Sequence, residues 1–345
     1  MRVQAKEVQT LGEAVLLAAG VPREHAALQL ELLIEAELRG FPSHGLMRLP
    51  TIVKRVAAGL VDPDTRGKHV WRGDALVEVD GENGLGPVVA LHALNVVVER
   101  AKRTGVAVAL LRRANHLGML AWYVEQAARR GHLAIMTCTA EALVHPWGGS
   151  RPMLGTNPVA IGVPAVPDPL VLDMSTSAVS MGKLIDYERR GAPIPHGWAI
   201  DSDGRSTTDA SAAIAGAISP FGGAKGYALG LALEVLVASL THTSLGTDVV
   251  GTLDTVSPSS KGDVIIAFGE QDGSTITRTG DYLEQVRRCP TDVDGSVGVP
   301  GDRSRTARDS ALSDGFELAD STAEELQVLH QDAMTSSARD RVSRT

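Results

Sequence analysis

Residues 80–90, DGENGLGPVVA, close the strand-like run ALVEVD and open a helical one. A glycine-rich turn from strand to helix is where a Rossmann sheet carries G-x-G-x-x-G/A. The first glycine makes the tight turn, the second lets backbone approach a pyrophosphate, and the third small residue packs helix on strand. Gly84 and Gly86 have the required spacing, but the small residue arrives one position late, at Ala90, and Pro87 stands where the helix should begin. Proline is well accommodated in a first helical turn. The stretch therefore reads as a strand, loop and helix junction, and the fold as α/β but non-Rossmann.

On the N-terminal side, Thr10 and Glu13 predict a capping box ahead of LGEAVLLAAG. Pro22 opens a helix through ALQLELLIEAEL that stops at Gly40, and LMRLPTIVKRVAAGL is a further helical stretch ending at Gly59. On the C-terminal side, short β-type runs such as VAVALLRRA, HLAIMTCT, NPVAIGVPA, PLVLDMS and VIIAF alternate with helices, which predicts a mixed sheet layered with helices. DYLEQVRRC begins a return to helical sequence, and the polar end TSSARDRVSRT has little to bury and reads as frayed.

The 345 residues are enough for about two domains, and a net charge of -8 lacks the basic surface that nucleic acid or anionic lipid requires. The start, MRVQAKEVQT, lacks a signal-peptide pattern, and the longest apolar segment, Tyr227 to Leu240, carries Glu234 and reads as a buried helix, so no membrane partner is expected. Cys138 and Cys289 are the only cysteines, too few for a disulfide framework, and the expected location is cytoplasmic. No H-E-x-x-H or C-x-x-C occurs, and His116, Cys138 and His145 are too scattered to argue for a metal.

Five loops carry candidate chemistry. In SHGLMRLP, Ser43 to Pro50, a continuous helix from His44 would place Arg48 on the same face. A guanidinium can clamp a carboxylate while a neighbouring imidazole moves a proton, a pairing suited to a 2-oxo acid. The plainer alternative is an N-cap serine followed by a surface histidine and arginine. ANHLGML, with Asn115, His116 and Gly118, can aim backbone N–H groups at phosphate. PWGGSRPMLGTNP brings Thr156 and Asn157 to the mouth of a strand. LDMSTSAVSMGK offers Asp173, Ser175, Thr176 and Ser177. SPFGGAKGYAL sets Lys225 at a helix N-terminus, where the macrodipole opposes it unless an anion lies nearby.

Together SHGLMRLP, ANHLGM, GGSRPMLGTNPVAIGVP, LDMSTS, IPHGWAIDSDGRSTTDA, PFGGAKGYALGLALEVL and VPG at 299–301 resemble the type-2 malate/L-lactate dehydrogenase family over about residues 1–330. The resemblance implies a nicotinamide-dependent oxidoreductase using NAD or NADP, a predominantly antiparallel sheet domain, and a homodimer. It also implies a helical domain built from both chain ends, here 1–70 with 280–330, around a cofactor- and substrate-binding sheet domain over 71–279, with a frayed tail at 331–345. By the same resemblance His44 is the proton donor, with Ser43 beside it and His116 as the alternative acid/base. Arg48, Thr156, Met181 and Gly182 are the expected neighbours of a small anionic substrate. His116, Leu117, Gly118, Met119, Leu120, Asp173, Met174, Ser175, Lys225, Gly226, Gly301, Arg303 and Arg305 are the expected cofactor contacts.

Two positions depart from the family pattern. Asn115 stands where serine is usual, and Lys183 stands where imine-reducing members carry a carboxylate that orients the histidine. Reversible hydride transfer to a malate- or lactate-type acid is the expected activity. An NADPH-dependent cyclic 2-imino-acid reductase and an idle nucleotide-binding scaffold are the alternatives.

Overall fold

The computed structural model describes residues 1–252, 254–291 and 296–343, with side chains of the last helix described to residue 335. Its main sheet has seven strands: β1 (Lys68–Trp71), β2 (Leu76–Asp80), β3 (Val106–Arg112), β4 (His132–Cys138), β5 (Val159–Val163), β6 (Leu170–Met174) and β7 (Gly262–Glu270). Their spatial order is β1-β2-β3-β7-β4-β5-β6, and β2 with β3 is the parallel pair in an otherwise antiparallel sheet. The parallel pair needs a crossover, and the helix Gly86–Thr104 supplies it. β3, β7 and β4 lie at the centre, and the apolar side chains of this region pack against that crossover helix and Ala121–Arg129.

The glycines of the opening stretch are occupied by the chain itself. A Cβ on Gly81 would lie 2.7 Å from the Arg113 carbonyl oxygen, and one on Gly86 would lie 2.1 Å from that of His116. Asn115 locks this packing, because its amide donates to the carbonyls of Asn83 (2.6 Å) and Gly84 (3.0 Å). Its Oδ1 accepts from both Nε (3.1 Å) and Nη2 (2.9 Å) of Arg55. All the bonding capacity of Asn115 is spent inside the fold, so the residue that replaces serine buttresses the following loop from behind.

The helices Ala5–Ala18, Arg23–Leu38, Leu49–Ala57 and Asp320–Ser343 form a layer whose core includes Leu16, Leu30, Leu33, Leu49, Phe316, Leu318 and Leu326. A two-residue ladder, Arg2–Val3 with Phe316–Glu317, ties the chain ends together. The first helix starts earlier than its expected cap: Gln4 is the N-cap, Glu7 closes the box, and Thr10 lies inside the helix with its hydroxyl donating to the Lys6 carbonyl. Gly273–Arg287 packs Leu283 on Ala165 and Val299 at the outer sheet edge, so helical contacts with the N-terminal layer begin again at Asp302–Asp314, where Arg308 pairs with Glu35. Residues 331–343, read as frayed, continue the last helix, with Ala333 buried; residues 344 and 345 lie outside the described ones.

The proline- and glycine-rich connector around residues 191–208 forms a small lobe. Strands Ala199–Ile200, Ser206–Thr207 and Ala217–Ile218 make a three-stranded sheet there, beside helices Met181–Arg189 and Ala210–Ala215. Two-residue strands are too short to leave a period-2 signal in the sequence.

The apolar helix Ala224–Thr241 is long and apolar enough to cross a membrane by length and composition, but Glu234 fastens it to the fold. This buried carboxylate accepts from Gly155 N (3.0 Å), Asn157 Nδ2 (2.6 Å) and Gly246 N (2.6 Å). Two of those donors flank Thr156, so the bonds also set a wall of the site described below. A buried carboxylate with three donors is tolerable, whereas donors left without it are not. Glu234→Ala should cost about 3 kcal/mol, read as a fall in the urea midpoint; an unchanged midpoint would show that these bonds do not hold the helix.

Candidate active site

A cavity of about 480 Å³ lies at the end of the sheet where β4 and β6 finish and β5 begins. Ser43, His44 and Arg48 line it from the helical layer, His116 to Leu120 from the loop after β3, and Asp173 to Ser175 from the end of β6. Thr156, Met181 and Gly182 complete the set of expected residues that meet there.

The geometry of the first loop differs from a continuous helix. Pro42–His44 and Leu46–Arg48 are separate 3-10 turns, broken at Gly45 with φ −96° and ψ −148°. Glu37, at the end of the preceding helix, causes the break, since its carboxylate accepts the Leu46 N–H at 2.8 Å and lies where a Cβ on Gly45 would be, 2.3 Å from Oε1. Burial pushes this carboxyl up to about 7. Arg48 then folds back, and its Nε donates to the Ser43 carbonyl at 2.7 Å. His44 and Arg48 thus face one cavity through a backbone bond instead of helical periodicity.

The His44 ring is pushed down to about 4, first by burial and then by the Arg48 charge. Its Nδ1 lies 3.0 Å from Ser43 Oγ, a hydrogen-bonding partner that fixes the ring in the place of the carboxylate that imine-reducing members would carry. Lys183 takes no part in this, being exposed and paired with Asp186 at 3.5 Å. The His116 ring stacks near His44 at 5.7 Å between centroids, 29° from parallel. Burial, then Arg48, His44 and Lys261, hold His116 well below the ordinary histidine range. Its Nδ1 accepts from Gly118 N at 3.1 Å, so the neutral ring carries its proton on Nε2.

Asp173 accepts the Ala121 N–H at 2.8 Å, so the chain's own carboxylate fills the N-terminus of the Ala121–Arg129 helix. Burial pushes Asp173 up to about 6. Ser175 Oγ is 2.9 Å from Ser177 Oγ, and both line the cavity. Gly182 permits close approach of its helix, because a Cβ there would meet that of Ser43 at 2.6 Å.

Five expected contacts lie outside the cavity. Lys225 and Arg303 are exposed, and Gly226 lets its helix turn against the Phe221 carbonyl, 1.8 Å from where a Cβ would be. Gly301 has φ +101° and starts the Asp302–Asp314 helix, while Arg305 donates to the carbonyl of Pro169 and to Asp302. The Val171 N–H bonded to the Pro300 carbonyl at 3.2 Å keeps that segment on the edge of β6.

Sequence reasoning did not single out Thr139, Glu141, Thr252 or Lys261, which also line the cavity, and weighed Cys138, another lining residue, only as a metal ligand. Lys261 and Asp263 around Gly262, at the start of an otherwise apolar strand, were the available signal. Burial pushes the Cys138 thiol up to about 12, so it is an inert wall.

The family model described as malate/L-lactate dehydrogenase matches residues 3–327. A solved dehydrogenase from Sinorhizobium meliloti superposes with a TM-score of 0.91 at 49% identity, covering 96% of this chain and 98% of that one. The (2R)-3-sulfolactate dehydrogenase (NADP(+)) of Chromohalobacter salexigens is 34% identical over 94% of this chain and 97% of its own length. The ureidoglycolate dehydrogenase (NAD(+)) of Escherichia coli is 30% identical over 93% of each. With its sheet, its helical layer and its histidine-lined cavity in place, the chain belongs to the malate/L-lactate dehydrogenase family of oxidoreductases.

Proposed function

We propose that this protein transfers a hydride reversibly between NAD or NADP and a small 2-hydroxy or 2-oxo acid, with His44 moving the hydroxyl proton and Arg48 holding the carboxylate. The observation that carries the reading is the meeting of a half-buried imidazole and a half-buried guanidinium in one cavity with His116–Leu120 and Asp173–Ser175. The cavity volume, the backbone of 116–120 and the hydroxyls of Ser175 and Ser177 suit the pyridine end of a dinucleotide beside a small acid. The bound nicotinamide supplies or takes up the hydride. The assignments of Lys225, Gly226, Gly301, Arg303 and Arg305 to the rest of the cofactor belong to the same proposal.

The two histidines divide the work by tautomer. With Nδ1–H of His44 donating to Ser43 Oγ, Nε2 is a free acceptor that takes the hydroxyl proton as the alcohol is oxidised. His116, protonated on Nε2, donates to the substrate oxygen. Burial and Arg48 keep His44 neutral in the free protein, the form a base requires. A substrate carboxylate on Arg48 offsets that charge, raises the proton affinity of His44 and allows it to act as the acid in the reverse direction.

We further propose a homodimer in the cytoplasm. Leu229, Leu231, Val235, Leu236 and Leu240 expose apolar surface on the Ala224–Thr241 helix, a face best covered by a second copy.

Absorbance of the reduced nicotinamide, with both cofactors against a panel of 2-oxo acids, tests the activity. His44→Ala should lower kcat by roughly 100-fold or more with little change in KM. Arg48→Lys keeps charge but loses the planar fork, and should raise KM by about tenfold. Normal kinetics in both variants would remove this loop from the active site. Sedimentation should give twice the chain mass, and Leu236→Glu should halve it; a wild-type monomer would exclude the dimer.

A further inference from the structure

Just ahead of β7, Lys261 lines the same cavity with its side chain only 3% exposed. Its ammonium donates to Asp263, whose side chain is fully buried and whose Oδ2 has no hydrogen-bond partner among the described residues. Such a pair is a poor device for stability alone, since well-packed apolar side chains of similar volume serve as well or better. A lysine serving only the fold would also use its donors, yet Lys261 makes one hydrogen bond among the described residues and has three N–H groups to give. Its placement follows from the ladder: Gly262 and Thr139 exchange hydrogen bonds at 3.0 Å each way, and Asp263 stands opposite Cys138. That register brings Lys261 to the cavity floor.

Apart from the imidazoles, Arg48 and Lys261 are the cations of the lining among the described residues. Both charges act on the His116 ring, so the two cations share its neighbourhood. Each has a carboxylate nearby, Glu141 for Arg48 and Asp263 for Lys261, which limits the net charge of the cavity while leaving donors free. An acid whose reacting carbon lies at the histidines and whose first carboxylate takes Arg48 meets Lys261 with whatever its far end carries.

We propose that Lys261, held by Asp263, is the second anion contact of the site and selects 2-hydroxy and 2-oxo acids that bear a second negatively charged group, a carboxylate or sulfonate, over monoanionic acids. The inference rests on the hydride-transfer reading above and names the substrate class for it. Electrostatic recognition of the far group adds binding without altering the proton transfer at His44, so the effect belongs mainly in KM.

The test compares wild type with Lys261→Met/Asp263→Asn, a double variant that leaves no buried charge unpaired and keeps the net charge, so that a change reports lost contact and not a changed long-range field. With malate and 3-sulfolactate against lactate, the wild type should favour the dianionic acids by at least about tenfold. The double variant should lose roughly 10- to 100-fold in kcat/KM for them while changing by less than about threefold for lactate. Equal losses for all acids, or a wild type that prefers lactate, would overturn the assignment. Should the double variant fail to fold, competitive inhibition of the wild type decides: succinate must bind at least about tenfold tighter than butyrate, and equal binding overturns the proposal. Turnover with no dianionic preference defeats the role of Lys261 alone, whereas no nicotinamide turnover with any acid defeats the hydride-transfer reading and this inference with it.

Discussion

The bond from Arg48 Nε to the Ser43 carbonyl is the contact on which the rest of the site depends. It turns a long cationic side chain back over its own loop, so that a guanidinium and an imidazole, both half-buried, share one cavity. Both groups are charged or chargeable, and burying them together is unfavourable for each. His44 responds by staying neutral, and Arg48, which cannot do so, is accommodated by the Glu141 carboxylate in its field. The arrangement is strained in the electrostatic sense until an anion arrives, which gives a physical reason for it to bind one.

Behind that bond stand supports that never touch the cavity. Glu37 bends the chain at Gly45, and Arg39, at the end of the same helix, pairs with both Glu35 and the buried Glu125. Asn115 and Arg55 brace the His116 loop from the other side. Leu32 and Ala36 of the Arg23–Leu38 helix pack into the sheet core, and Leu30 and Leu33 into the helical core, so one helix registers the two layers against each other. The Ser43–Arg48 loop emerges from its end.

Much of this was legible in the sequence, and the remainder fails for identifiable reasons. Polar, glycine-rich strings between apolar runs located His44, Arg48, His116, Thr156 and Asp173, and the structure brings all five to one cavity. The displaced Ala90 and the position of Pro87 correctly separated residues 80–90 from a phosphate loop, because those glycines answer to backbone atoms of Arg113 and His116. Helical periodicity through residues 44–48 failed at Gly45, where the buried Glu37 carboxylate from the last turn of the preceding helix overrides local propensity. Lys261 reaches the site through the pairing of β7 with β4, and its only sequence signal is the charge at the start of an apolar strand; Glu141 and Thr252 lie in loops joined by the Thr252 N–H to Glu141 bond, which no local motif marks.

The central claim is that the His44 imidazole is a neutral base whose proton affinity is lowered first by burial and then by Arg48, and rises when an acid engages that arginine. Nitrogen-15 NMR of the histidine rings, titrated with and without the 2-oxo acid mimic oxamate in the presence of cofactor, measures this directly. Without ligand the ring should be neutral at pH 6, protonated on Nδ1 and titrating near the value of about 4 to which burial and Arg48 push it, and oxamate should raise that value by at least about one unit. A ring already charged at pH 6, or one indifferent to oxamate, would contradict the account.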